Sequence, residues 1–160
     1  MNNEGVEIVK TTSDLVDVRV HTRFRLAAAW ASLMSCYIYA DYFELYVPGK
    51  LTGMLAGRMD PIGAVSQGVL VGTGAMLAVP SLMILLSVIL PPGPCRWLNI
   101  LLGVLYSVIQ ILVISGSGWA FYVAFGVVEI ALTAFIAWSA WRWPRSLPHD
   151  ADTLPRSSVI

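Results

Sequence analysis

The chain is poor in charge. Only 12% of its 160 residues are Asp, Glu, Lys or Arg, against about a quarter in an ordinary soluble domain. Ten basic residues balance ten acidic ones, so no net field draws the chain to nucleic acid. Cys36 and Cys95 are the only cysteines and stand far apart. They form neither a CxxC pair nor a zinc pattern, which excludes a disulfide scaffold and paired-thiol redox chemistry. Lysine is limited to Lys10 and Lys50, histidine to His21 and His149. What the chain has instead is apolar content: 57% hydrophobic residues and a mean hydropathy of +0.71. Half the usual charge on a chain this apolar points to a bilayer as solvent and excludes a disordered polymer.

A membrane span needs about 20 consecutive apolar residues. Four segments qualify, over residues 26–47, 65–90, 97–115 and 119–141, and the second and third carry no charge at all. Pro48-Gly49, Pro91-Pro92-Gly93-Pro94 and Gly116-Ser117-Gly118 separate them. Runs such as Val79 to Leu90 are too long for buried strands. They also lack the alternation of a transmembrane barrel. Backbone groups in lipid must bond within their own segment, so the spans are helices. The expected fold is all-α: an integral membrane four-helix bundle, up-down-up-down. Residues 1–25 form a basic arm before it, the transmembrane domain covers 26–143, and residues 144–160 form a tail without apolar periodicity that reads as disordered.

Orientation follows from the basic residues. Lys10, Arg19, Arg23, Arg25, Arg96, Arg142, Arg145 and Arg156 fall on one side of such a bundle; Lys50 and Arg58 fall on the other. The positive-inside rule then places both termini in the cytoplasm, in a multi-pass protein of the bacterial inner membrane. The first 25 residues lack an apolar signal core, so the first span reads as an uncleaved anchor. The arginines around Arg23 set orientation and also suit anionic headgroups.

Ionisable residues at membrane depth mark functional sites by default. Asp41, Glu44 and Glu129 are the three here, and at 1.5 Å per residue Glu129 lies about 15 Å deep, near the midplane. Trp30, Met34, Tyr37, Asp41 and Glu44 share one helix face by their spacing. So do Tyr122, Glu129 and Thr133 in the last span, and Gly103, Ser107 and Gln110 in the third. The three stripes are expected to converge on an outward-facing polar pocket built from Tyr37, Asp41, Glu44, Gln110, Tyr122 and Glu129. Pro80 frees the carbonyl of Met76, a candidate acceptor for Glu129. Gly68, Gly72 and Gly74 are expected to admit close backbone packing within the chain.

This pocket suits the binding of a small molecule or lipid, with proton-linked transport as an extension. A second reading is a membrane enzyme that uses Asp41 and Glu129 as an acid/base pair on a lipid-soluble substrate. Two carboxyl groups in one site of low dielectric take different protonation states. A third makes the chain a structural or accessory subunit, with the polar residues tying helices together. No cofactor and no metal are expected, because no histidine or lysine lies within a span. The partners expected are the bilayer and the pocket's ligand. Four helices are few for a transport path, which leaves room for a homo-oligomer.

The run from Trp30 through Asp41-Tyr-Phe-Glu-Leu-Tyr46 to Lys50 resembles a family of small bacterial four-span proteins of unknown function. The similarity continues through Pro80-Ser-Leu-Met, Arg96-Trp-Leu-Asn, Trp119-Ala-Phe-Tyr, Glu129 and Trp141-Arg-Trp-Pro144. It implies the four-helix architecture and no particular activity. The layout is also broadly similar to small four-span proteins of the DoxX type, at the level of architecture alone.

Overall fold

A computed structural model of the chain describes residues 20–59, 62–116 and 118–144. Most of the expected arm, and the expected tail beyond Pro144, lie outside these residues. Five helices and a two-stranded hairpin follow one another: α1 (Thr22–Glu44), α2 (Lys50–Leu55), β1 (Arg58–Met59), β2 (Gly63–Ala64), α3 (Gln67–Ile89), α4 (Pro92–Ser115) and α5 (Ala120–Trp141).

Three of the helices, α3, α4 and α5, are long and apolar enough to cross a membrane. The burial pattern identifies the solvent they need. On α4 the buried face is Cys95, Asn99, Gly103, Tyr106 and Gln110, while Leu101, Val104, Leu105, Val108, Ile111 and Leu112 are exposed. On α5, Gly126, Glu129, Thr133 and Ser139 are buried, and Val127, Val128, Phe135 and Trp138 are exposed. In water this arrangement is inside out. In lipid it is favourable, because small and polar residues pack helices together and branched aliphatics meet acyl chains.

Each long helix lies antiparallel to its chain neighbour. Arg23 Nη1 at the start of α1 donates to the carbonyl of Val88 near the end of α3 (2.7 Å). Arg96 Nε near the start of α4 reaches the carbonyl of Ala140 near the end of α5 (3.2 Å). The helices α1 and α5 are each packed along their length, α1 on α3 and α5, and α5 on α1 and α4; α3 and α4 meet far less. Close packing of α4 on α5 depends on Gly103, where a Cβ would lie 3.0 Å from the Thr133 carbonyl oxygen and 3.1 Å from the Ala137 nitrogen. Leu26, Trp30, Leu33, Met83, Tyr106 and Ile136 fill the centre.

Four details differ from the sequence expectation. Helix α1 begins at Thr22, inside the expected arm, because His21 caps it: its Nδ1 accepts from the Arg23 backbone N–H (3.4 Å). The proline run does not separate two helices over its whole length. Pro91 is the N-cap and α4 starts at Pro92, where a missing N–H has no partner to lose. Cys95, which precedes the expected third span, is therefore buried in the first turn of α4. Lastly, Gly68, Gly72 and Gly74 are all exposed, and a Cβ would meet nothing within 4 Å at Gly72 or Gly74 and only Ser66 Oγ, at 3.9 Å, at Gly68. With open space around them, they are not close-packing positions within the chain.

The connection from α1 to α3 has structure of its own. Gly49 opens α2 with φ of +83°, a conformation that favours glycine. The strands pair antiparallel, Arg58 opposite Ala64 and Met59 opposite Gly63. Val65 N–H then closes the loop on the Gly57 carbonyl (2.8 Å).

Candidate functional site

The two ends of the bundle differ. At the end where α1 begins, buried polar groups are matched around one asparagine, and Ser139 Oγ is the exception. Asn99 sits at the centre: its Oδ1 accepts from Trp30 Nε1 (2.7 Å) and Ser87 Oγ (3.3 Å), and its Nδ2 donates to the Cys95 carbonyl (2.8 Å). Trp30, Ser87, Cys95 and Asn99 are all fully buried. Arg25, Arg96 and Arg142 surround this end, over the rings of Phe135, Trp97 and Trp141, and Trp138 respectively. Aromatic and basic side chains of this kind suit a headgroup layer.

The other end is open. There, between the ends of the long helices, lies a cavity of about 480 Å³, within the range of small-molecule sites. All six residues singled out by helical spacing line it. Tyr37, Asp41 and Glu44 come from α1, Gln110 from α4, and Tyr122 and Glu129 from α5. Lys50 and Met54 of α2, with Met59 of β1, reach it from above, and Thr73 and Met76 of α3 complete the wall. The convergence has local causes. Spacings of four and three residues keep Tyr37, Asp41 and Glu44 on one face of α1. Gly126 leaves room for Gln110, because a Cβ there would lie 3.2 Å from Gln110 Nε2 and overlap Ile114 Cγ2.

The acids in this wall differ in their surroundings. Glu44 holds the ammonium of Lys50, Oε1 to Nζ at 2.6 Å, which fastens α2 to the end of α1. Asp41 is exposed. Glu129 is only 1% exposed, and its Oε1 is one of two buried side-chain polar atoms without a hydrogen-bond partner among the described residues; the other is Ser139 Oγ. Just below Glu129 the polar groups are matched again. Thr133 Oγ1 reaches the Glu129 backbone carbonyl (2.9 Å), and Ser107 Oγ lies 2.7 Å from Thr133 Oγ1.

Pro80 frees the Met76 carbonyl as expected, but Glu129 does not use it. The Tyr106 hydroxyl donates to it at 2.6 Å, and a tyrosine on the adjoining helix is well placed to replace the missing backbone donor. Tyr106, Asn99, Ser87, Lys50 and Thr73 are among the polar residues that helical spacing did not single out. Asn99 carried one signal, being a polar amide within an uncharged apolar run. Among the described residues no three His, Cys, Asp or Glu side chains are grouped closely enough to hold a metal ion.

The chain belongs to a family of unknown function, DUF6326, whose model matches residues 15–148. The match covers the whole helical region, so the three apolar helices describe a small membrane protein of this family. No curated protein matches the chain. No solved structure matches it either.

Proposed function

We propose that the protein is a four-span bundle whose outward-facing cavity binds a small molecule or lipid, with proton-linked transport as the activity it is built to support. α1 is the fourth span. It is as long as its neighbours and runs through the centre of the packing, though Arg23, Arg25, Asp41 and Glu44 lower its apolarity. Arg23, Arg25, Arg96 and Arg142 at one end favour that end as cytoplasmic, which puts both termini inside and the cavity on the outside of a bacterial inner membrane.

The observation that carries the reading is Glu129 Oε1, buried in the cavity wall and without a hydrogen-bond partner among the described residues. An unmatched carboxyl at this depth costs several kcal/mol unless water or a ligand meets it, by about the penalty for any orphaned buried polar group or more. Groups serving only to hold helices together would be matched, as Ser107 with Thr133 and Trp30 with Asn99 are. Asp41, Glu44, Lys50, Tyr37 and Tyr122 face the same space, so a change in charge on Glu129 is felt by whatever occupies it.

The test is an untargeted search for metabolites and lipids that copurify with the full chain, compared with Glu129→Gln and Asp41→Asn. A species enriched with the native protein and lost from both variants supports binding. Identical profiles from all three proteins overturn it. Uptake of that species into proteoliposomes should depend on pH in the native protein and lose that dependence in Glu129→Gln. The shared cavity of Asp41 and Glu129 also favours an acid/base enzyme as second reading. In that case the copurifying species is converted on incubation, and Asp41→Asn stops the conversion.

A further inference from the structure

The wall of the cavity has a chemical bias that narrows its ligand. It carries three acids, Asp41, Glu44 and Glu129, against one base, Lys50, so acidic groups exceed basic ones by two. Lys50 is engaged by Glu44. No three His, Cys, Asp or Glu side chains are grouped closely enough among the described residues to hold a metal ion. A metal ion needs several oxygens converging within about 2.6 Å, and these side chains form no such group. The space between is lined by the rings of Tyr37, Tyr122 and Phe125 and by Met54, Met59 and Met76. Aromatic faces attract organic cations held over them. Methionine side chains adapt to apolar groups of varied shape. The buried, unpartnered Oε1 of Glu129 supplies an acceptor at the inner wall.

We infer that the cavity takes an amphipathic organic cation, with its charged head toward Asp41 and Glu129 and its apolar body against the tyrosines, Phe125 and the methionines. The assignment rests on the cavity being a binding site, and it adds the charge class of the occupant. A bulky cation uses both features of the wall at once: the excess acid balances its charge, and the ring faces cover a volume that a hydrated metal ion would leave in contact with water. A lipid anion would bring its head against two uncompensated carboxyl groups. A neutral lipid would leave Glu129 Oε1 unmatched unless it carried a donor at that depth.

Three probes of similar shape separate these outcomes: tetraphenylphosphonium, tetraphenylborate and triphenylphosphine oxide. Each is titrated calorimetrically into the full-length protein in a non-ionic maltoside detergent, with empty micelles as reference. The cation should bind at least about tenfold tighter than the anion or the neutral oxide, and Glu129→Gln and Asp41→Asn should each weaken it by about tenfold or more. Size-exclusion profile and melting temperature are recorded for each variant. If Glu129→Gln does not fold, Asp41→Asn, on an exposed residue, carries the comparison. Equal or tighter binding of the anion or oxide overturns the cation assignment and leaves the cavity as a ligand site. So does cation binding that neither variant weakens. No binding of any probe beyond the micelle reference overturns both.

Discussion

The bond between Tyr106 and Met76 gives a sharp quantitative test of how this bundle is held together. Pro80 in the middle of α3 has no N–H, so the carbonyl of Met76, four residues earlier, loses its ordinary helical partner. Tyr106 Oη of α4 stands 2.6 Å from that carbonyl oxygen, and the residue is only 4% exposed. Tyr106→Phe keeps the ring and its edge-on contact with Trp30, whose centroid is 6.1 Å away, and removes the bond alone. An orphaned buried carbonyl costs about 1–3 kcal/mol. Bonds between membrane helices are worth less, about 0.6 and at most about 1.7 kcal/mol by double-mutant cycles. The lower half of the first range therefore applies, and Tyr106→Phe should destabilise the protein by about 1.5 kcal/mol.

The same substitution should be cheap once the cause is removed. Pro80→Ala restores an N–H at residue 80, and the Met76 carbonyl regains its helical donor. Tyr106→Phe in that background should cost about 0.5 kcal/mol, a coupling of about 1 kcal/mol between two residues on different helices. In equilibrium terms this is about fivefold. The assay is reversible unfolding in mixed micelles as the fraction of SDS is raised, followed by tryptophan fluorescence, for the native protein and the three variants. Additive effects, within about 0.3–0.5 kcal/mol, would refute the idea that the tyrosine stands in for the missing backbone donor.

The remaining predictions use the same unfolding assay unless stated. Asn99→Leu strands the indole N–H of Trp30 and should cost about 2 kcal/mol, part of which returns in the double variant with Trp30→Phe; no recovery would mean that Asn99 acts through packing alone. Gly103→Val presses on the backbone of α5 and should cost about 1–3 kcal/mol. Gly72→Ala, in open space on an exposed helix face, should instead stabilise by up to about 1 kcal/mol, and equal losses at the two glycines would contradict the packing described. For topology, single cysteines at Val20 and Val65 in a cysteine-free background should behave oppositely toward an impermeant maleimide added to intact cells. Val65→Cys reacts and Val20→Cys reacts only after permeabilisation; reaction at both positions in intact cells shows that α1 does not cross.

Much of this architecture was legible in the sequence, for a physical reason. Lipid leaves the backbone no partner but itself, so an uncharged run such as Val65 to Leu90 has one solution, and spacings of three and four put Tyr37, Asp41 and Glu44 on one face before any packing is known. Cross-helix bonds were not legible. Trp30 and Asn99 are 69 residues apart, and Tyr106 and Met76 are 30 apart; nothing in local spacing pairs them. The proline run misled because proline both ends one helix and starts the next, and only the cap geometry at Pro91 shows which residue does which. The cover of the cavity was missed because Lys50–Leu55 is too short for a periodic signal and its hairpin has only two residues per strand.

The contrast between the two ends of the bundle bears directly on Glu129. At one end this sequence buries an asparagine, a serine, a cysteine and a tryptophan and finds a partner for each within the chain. In the middle it matches a proline-freed carbonyl with a tyrosine hydroxyl. Among the described residues Ser139 Oγ is the other exception, but it lies away from the cavity, whereas the unmatched carboxyl oxygen of Glu129 lines it. The orphan also occurs where the helices enclose a space, among three acids and the flanking rings, and Gly126 gives Gln110 room in the same wall. An apolar version is simple to picture: a leucine at 129 would bring no unmatched oxygen to the wall and would remove the penalty. That the sequence keeps an acid there instead is what a site for an occupant requires, and it makes Glu129→Leu a test of direction. If the acid serves an occupant, the substitution should raise the midpoint of unfolding in SDS while abolishing binding; a lower midpoint would mean that Glu129 supports the fold itself.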